Sequence, residues 1–339
     1  MKKMTGIIAM AVLSSAAFAN TIVPETSRDG KTKNSSAIAV TQQMRTFVAG
    51  EYMNETIEPD VANAKDLTDS GFSVFGGWSN KMVSVEADLS MSEQEDENTA
   101  NSATDVSNYD VKVGYRINKE FALGLGYEMG TEEPTTGADT DTSKIELAGS
   151  YMMKDLMLGA SFAINSRDNG TTDGSYNTLT VGVGSNANNM SWEAGLTYDM
   201  EEEDDLNRGS RFGLFAGMTK VVNNIEIDAD LSYTTGDTTV TNPADYSVLD
   251  FNVDAEFLVT DMFYVTPGLY YTSAEGASYK ALSGLDEYTI MGLSADFGYR
   301  ANKVDATFGI DYDLASNYNT GSEEDMDRMA WKVNVAYNF

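Results

Sequence analysis

The residues with the most chemical reach are carboxylates at alternate positions: Glu86 and Asp88; Glu226, Asp228 and Asp230; Asp254 and Glu256; Asp311 and Asp313. A step of two places them on one face of a β-strand, whereas on a helix they would scatter. Paired carboxylates can do acid/base work when their surroundings push their proton affinities apart, or can concentrate cations when they line a passage. Alternation along a strand already accounts for pairs such as Asp311 and Asp313, so the second chemistry is the one taken here. The chain has no His and no Cys. Ser-His-Asp hydrolysis, His- or Cys-ligated zinc and thiol nucleophiles are therefore excluded. The reading is non-enzymatic, with no cofactor and no metal. The acidic runs Glu93–Glu97, Glu201–Asp205 and Glu323–Asp325 lack the ligand order of a calcium loop and read as a solvated rim.

The elements that must hold these residues repeat from Thr46 to the end: a strand of about ten residues, a short turn, another strand, then a polar loop. Met82–Met91 shows the pattern, with Val83, Val85, Ala87, Leu89 and Met91 on one face and Ser84, Glu86, Asp88 and Ser90 on the other. Short turns recur at Asn80-Lys81, Asn118–Glu120, Lys154-Asp155, Asn186–Asn189, Val221–Asn224, Asp261 and Asn302-Lys303. Longer connections recur around 92–107, 130–142, 166–175, 201–210, 235–245, 274–286 and 315–327. Alternating short and long connections, with strands of membrane length, predict a transmembrane antiparallel up-and-down β-barrel. Fifteen strands follow Gly71, and Thr46–Met53 supplies the ascending strand before them, giving about sixteen. The two faces of Thr46–Met53 are poorly separated; without it, fourteen strands or an irregular closure are the alternatives. Closure satisfies every backbone group in lipid and removes exposed edges.

Ahead of the barrel (44–339), Lys2, Lys3, an apolar run and Ala17-Phe18-Ala19 form a secretory signal peptide over 1–19. Residues 20–43 read as a periplasmic leader or a short plug. The formal net charge of -31 argues against nucleic-acid partners. A mean hydropathy of -0.31 is compatible with a barrel, because only alternate residues face lipid.

The last stretch, MAWKVNVAYNF, places Met329, Trp331, Val333, Val335, Tyr337 and the terminal Phe339 on one face. It resembles the C-terminal strand of Gram-negative outer-membrane β-barrels. That resemblance implies that Trp331, Val333, Val335, Tyr337 and Phe339 form the signal read by the barrel-assembly machinery, in a membrane of lipid and lipopolysaccharide. In architecture the chain is similar to the sixteen-stranded general porins, which implies a porin for small ions and hydrophilic solutes and suggests a homotrimer. It departs from them at the third outer loop, GTEEPTTGADTDTS, which is short and lacks their PEFGG-like segment. An inward constriction by that loop is therefore not expected.

If the apolar face meets lipid, the other face lines a wet lumen, since so many charges could not sit in a dry core. The expected pore-lining set is Glu86, Lys112, Arg116, Glu146, Asp228, Asp230, Asp254, Asp296 and Lys332. Acidic excess makes the expected channel cation-preferring. The alternatives are a non-conducting structural or adhesive barrel and a substrate-specific transporter. Inward Phe75, Phe215, Tyr264 and Tyr270 hint at the transporter but are read as packing against loops. Aromatics are expected to form two belts, with Tyr127, Tyr198, Tyr233, Tyr271, Tyr288 and Tyr312 near the loop ends.

Overall fold

The computed structural model describes residues 46–339 except 60–65, 81, 97–102, 136, 188–189, 203–205, 224, 242, 278–285, 302 and 320–322. The expected signal peptide (1–19) and leader (20–43) lie outside the described residues. Sixteen antiparallel strands close into one barrel. In chain order they are β1 (Phe47–Pro59), β2 (Leu67–Ser79), β3 (Val83–Asp96), β4 (Ala103–Arg116), β5 (Phe121–Pro134) and β6 (Thr140–Met153). Next come β7 (Leu156–Asp168), β8 (Asp173–Ala187), β9 (Met190–Asp199), β10 (Arg211–Val222) and β11 (Ile225–Asp237). The remaining five are β12 (Asp245–Leu258), β13 (Phe263–Ala277), β14 (Asp286–Ala301), β15 (Val304–Asn319) and β16 (Glu323–Asn338). The weakly patterned first strand is present and closes the barrel, pairing with β16 from Phe47↔Asn338 to Pro59↔Met326. Its faces look alike in sequence because inward Phe47 and Ala49 pack with Phe75 and Ala336 inside the barrel.

Orientation is decided by neighbours such as Glu146 and Leu147: the first is 8% exposed and the second 62%. Leu123, Leu125, Val111, Phe212 and Val335 are likewise exposed on the outside, while Glu55, Glu132, Glu193 and Asp313 are buried within. A water-soluble protein reverses this arrangement; a barrel in lipid requires it.

Short turns join strands at one end, stabilised as their residue types predict. Asn80 Oδ1 accepts from the backbone N–H groups of Met82 and Val83, both at 2.8 Å. Asn118 does the same for Glu120 and Phe121. Lys154 and Asn223 adopt φ of 59° and 60° in the tightest turns. Aromatic pairs Phe121–Tyr151 and Phe263–Tyr299, at 4.7 and 5.1 Å between centroids, stand on the outside near this end.

Two expectations need correction. Most strands run 12–16 residues, well past the ten expected, and take up much of what reads as loop. Ser92–Asp96 continues β3 and pairs with Leu67–Gly71 of β2. Above the bilayer both faces meet water, so no apolar alternation marks these extensions. The second correction is Tyr288, which is buried inside the barrel and contributes nothing to the outer belt.

Candidate functional site: the lumen wall

The inner wall is organised by glycines at which side chains from the two flanking strands converge. Lys112 of β4 and Glu146 of β6 both lean over Gly126 of β5. Asp296 of β14 and Lys332 of β16 meet over Gly309 of β15, with Nζ 3.7 Å from Oδ1. Over Gly217 of β10 the neighbours are Asp230 and Glu193, so a Cβ added there would lie 2.8 Å from Asp230 Oδ1 and 3.6 Å from Glu193 Oε1. Aromatic rings fill other lanes: Phe215 lies over Gly195, Tyr264 over Gly298 and Tyr270 over Gly292. These inward aromatics therefore pack on the wall, not against loops. Tyr264 Oη donates to Asp305 at 2.7 Å and Tyr270 Oη to Asp313 at 2.6 Å, which satisfies their polar ends.

Charge is distributed unevenly around the wall. On β3–β6, bases alternate with acids: Lys112 Nζ is 2.7 Å from Asp110, Lys144 Nζ is 3.0 Å from Glu128, and Glu86 sits opposite Lys112 in register. On β9–β12, carboxylate faces carboxylate, with Asp228 opposite Asp254 and Glu226 opposite Glu256. Asp228 accepts from Thr219 Oγ1 at 2.6 Å, and Asp250 from Ser232 and Thr272. On β12–β16, two arginines each bridge a pair of acids. Arg300 reaches Glu256 and Asp305, and Arg328 reaches Glu55 and Asp313. All nine residues of the expected lining set are on the inner-face parity. They lie on several levels and do not form a single ring, because strand tilt carries each hydrogen-bonded row along the barrel axis. The row from Glu86 through Lys112, Gly126 and Glu146 continues to Asp199 and Arg211 at the long-loop mouth.

That mouth differs from expectation. The connection 135–139, after β5, is short, whereas Leu206 and Arg208, in the connection after β9, lie against the inner face of β8 and β9. Glu202 and Arg208 pair there as a bridge, Leu206 covers Gly174, and Arg208 is buried against Asp199 and the Tyr176 ring. Arg167 and Arg208 are lumenal residues that the sequence reading missed. Arg167 shares the parity of Ser161, Ala163 and Asn165 and could have been found that way. Arg208 sits in a loop with no periodicity and could not. Apolar side chains also enter this end: Ile57 and Leu67 pack with Tyr246, Ala274, Tyr288 and Ile290, joining stretches of wall separated by β15 and β16. Beside them a cavity of about 210 Å³ opens on β1–β6, with Glu51, Asp69, Ser92, Gln94, Asn108 and Glu132 among its lining. Among the described residues, no group of three or more acidic residues is arranged to hold a metal ion.

On the outside of the closing strand, Val333, Val335, Tyr337 and Phe339 are exposed, and Trp331 packs on Tyr52 at 5.3 Å. Phe339 donates its N–H to the Thr46 carbonyl at 2.9 Å, sealing the seam.

A family model described as Gram-negative porin matches residues 68–203, from β2 into the β9–β10 connection. A search of curated proteins finds no match. Among solved structures, the fold is similar to the TodX monoaromatic hydrocarbon channel in its deltaS2 mutant. That likeness has a TM-score of 0.54 at 9% identity and covers 90% of this chain and 93% of that one. The P. putida toluene transporter TodX gives 0.52 at 9%, covering 90% and 92%. The CymD monoaromatic hydrocarbon channel gives 0.50 at 10%, covering 90% and 91%. The chain is a porin-like β-barrel of the Gram-negative outer membrane.

Proposed function

We propose that the protein is a water-filled, cation-preferring channel for passive diffusion of ions and small hydrophilic solutes. The observation that carries this reading is the β9–β12 wall, where Asp228 faces Asp254 and where Glu193 and Asp230 converge over Gly217. Like charges opposed across strands are unfavourable unless water or mobile cations screen them. A wall of this kind fits a wet passage that enriches cations. The exposed aromatic face ending in Phe339 supports a role for the closing strand in recognition by the barrel-assembly machinery.

The test is planar-bilayer recording of the refolded mature chain across a KCl gradient. Stepwise conductance with a cation-selective reversal potential is expected. Replacing Asp228, Asp230 and Asp254 with Asn should lower the K⁺/Cl⁻ permeability ratio about threefold at 0.1 M salt and much less at 1 M, where screening is short-ranged. Anion preference in the native protein would sink the selectivity claim. A second reading, a substrate-selective channel, is favoured by the apolar cluster at the long-loop mouth. It predicts flux that saturates with one solute class, where the first reading predicts flux linear in concentration.

A further inference from the structure

Four lumenal arginines stack on tyrosines, and one of them has no acid to answer. Arg300 and Arg328 each bridge two carboxylates, and Arg208 is bound to Asp199. Arg211 is opposite Asp199 in register, yet both oxygens of Asp199 are engaged elsewhere: Oδ1 accepts from Thr178 at 2.7 Å and Oδ2 from Arg208. The Arg211 guanidinium, in a residue 8% exposed, lies over the Tyr246 ring, with Cζ 3.9 Å from the centroid. Its Nε has no hydrogen-bond partner, and it makes no ion pair among the described residues. The cation that acts on it most strongly is Arg208. Burying a guanidinium beside a second one, with no carboxylate of its own, is costly in any dielectric below that of water. Stacking occupies the face of Arg211 and leaves the in-plane donors at its edge, which match a carboxylate in a bidentate fork.

Tyr246 also belongs to the apolar cluster with Ile57, Leu67, Tyr288 and Ile290. Through Tyr246, Arg211 is thus held beside this apolar cluster at the long-loop end of the lumen. We propose that Arg211 and Tyr246 form a binding site for a small organic carboxylate at the long-loop mouth of the lumen, with the carboxylate on the guanidinium edge and the apolar body along the cluster. Bare anions gain only the first contact and meet the repulsion of a chain with a formal net charge of -31. The site rests on the inner face being reachable by solute. It is independent of conductance and of cation preference.

The probe is sodium benzoate, measured by equilibrium dialysis against the full-length folded barrel in detergent, with heat-modifiable gel mobility as the check of folding. Wild type is expected to bind benzoate at one saturable site. R211Q should bind at least about tenfold more weakly, the loss expected for hydrogen bonds to a charged group. R211K keeps the charge without the fork and should fall between the two; it also serves if R211Q does not fold. No saturable binding by wild type, or equal binding by wild type and both variants, would overturn the site. Inorganic phosphate should bind more weakly than benzoate; equal affinity would overturn the organic part of the assignment. Bilayer recordings report on the diffusion channel separately, so failure of one reading leaves the other standing.

Discussion

Gly126 and Gly217 are equivalent pieces of wall with opposite electrostatics. Each is an inward glycine in the middle of three strands, and each lets long side chains from both neighbours lean across it. Over Gly126 the two are Lys112 and Glu146, with Asp110 also on Lys112; over Gly217 they are Glu193 and Asp230. Backbone and register do not distinguish them. What differs is one charge: the first lane sets a base beside acids, while the second sets acid beside acid. Mixed charge and acidic charge are therefore set on different arcs of one barrel.

Three substitutions would break or sharpen this contrast. The largest effect is expected for Lys112→Met, which brings the paired lane closer to the acidic one by removing the base that Asp110 binds and that Glu86 faces. Breaking such a partly buried network should cost about 3 kcal/mol, read as a fall in urea-unfolding free energy of the barrel in micelles. A cost below about 0.5 kcal/mol would mean that the first lane is solvated like the second. Next is Gly298→Ala, in a third kind of lane. The added Cβ would collide with the Tyr264 ring and break its bonds to Asp305 and Thr307. About 2 kcal/mol of destabilisation is expected, against almost none for Gly126→Ala, whose nearest neighbours stand at 3.5 Å. The smallest is Asp230→Lys, which places a base against Glu193 and turns the second lane into a copy of the first. It should stabilise the barrel by about 0.5 kcal/mol and lower the cation preference. Unchanged selectivity in that variant would remove the β9–β12 wall from the conduction path.

Much of the barrel was legible from alternation. The sixteen strands, the seven short turns and the inner or outer parity of Glu86, Lys112, Asp254 and Val335 follow from a period of two, because lipid and water impose opposite demands on the two faces. Strand ends were not legible. Residues such as Ser92–Asp96 pair above the membrane, where water on both sides erases the pattern. Tyr288 was misplaced for a related reason: an aromatic near a loop end reads as part of a belt whether it points out or in. The inward parity of the charged residues was legible but their pairings were not, since periodicity gives a face and no partner across it.

The sequence by itself determined the topology, the sidedness of each strand and the acidic excess within, all consequences of local two-residue periodicity. Only the tertiary structure decided which charges meet over which glycine, which connection folds inward, and that Asp199 is taken by Arg208 while Arg211 is left to Tyr246. Those outcomes depend on the stagger set when β1 closed on β16. Tilt then brings residues distant in the chain to one level of the wall, a geometric sum over sixteen strands that no local stretch contains.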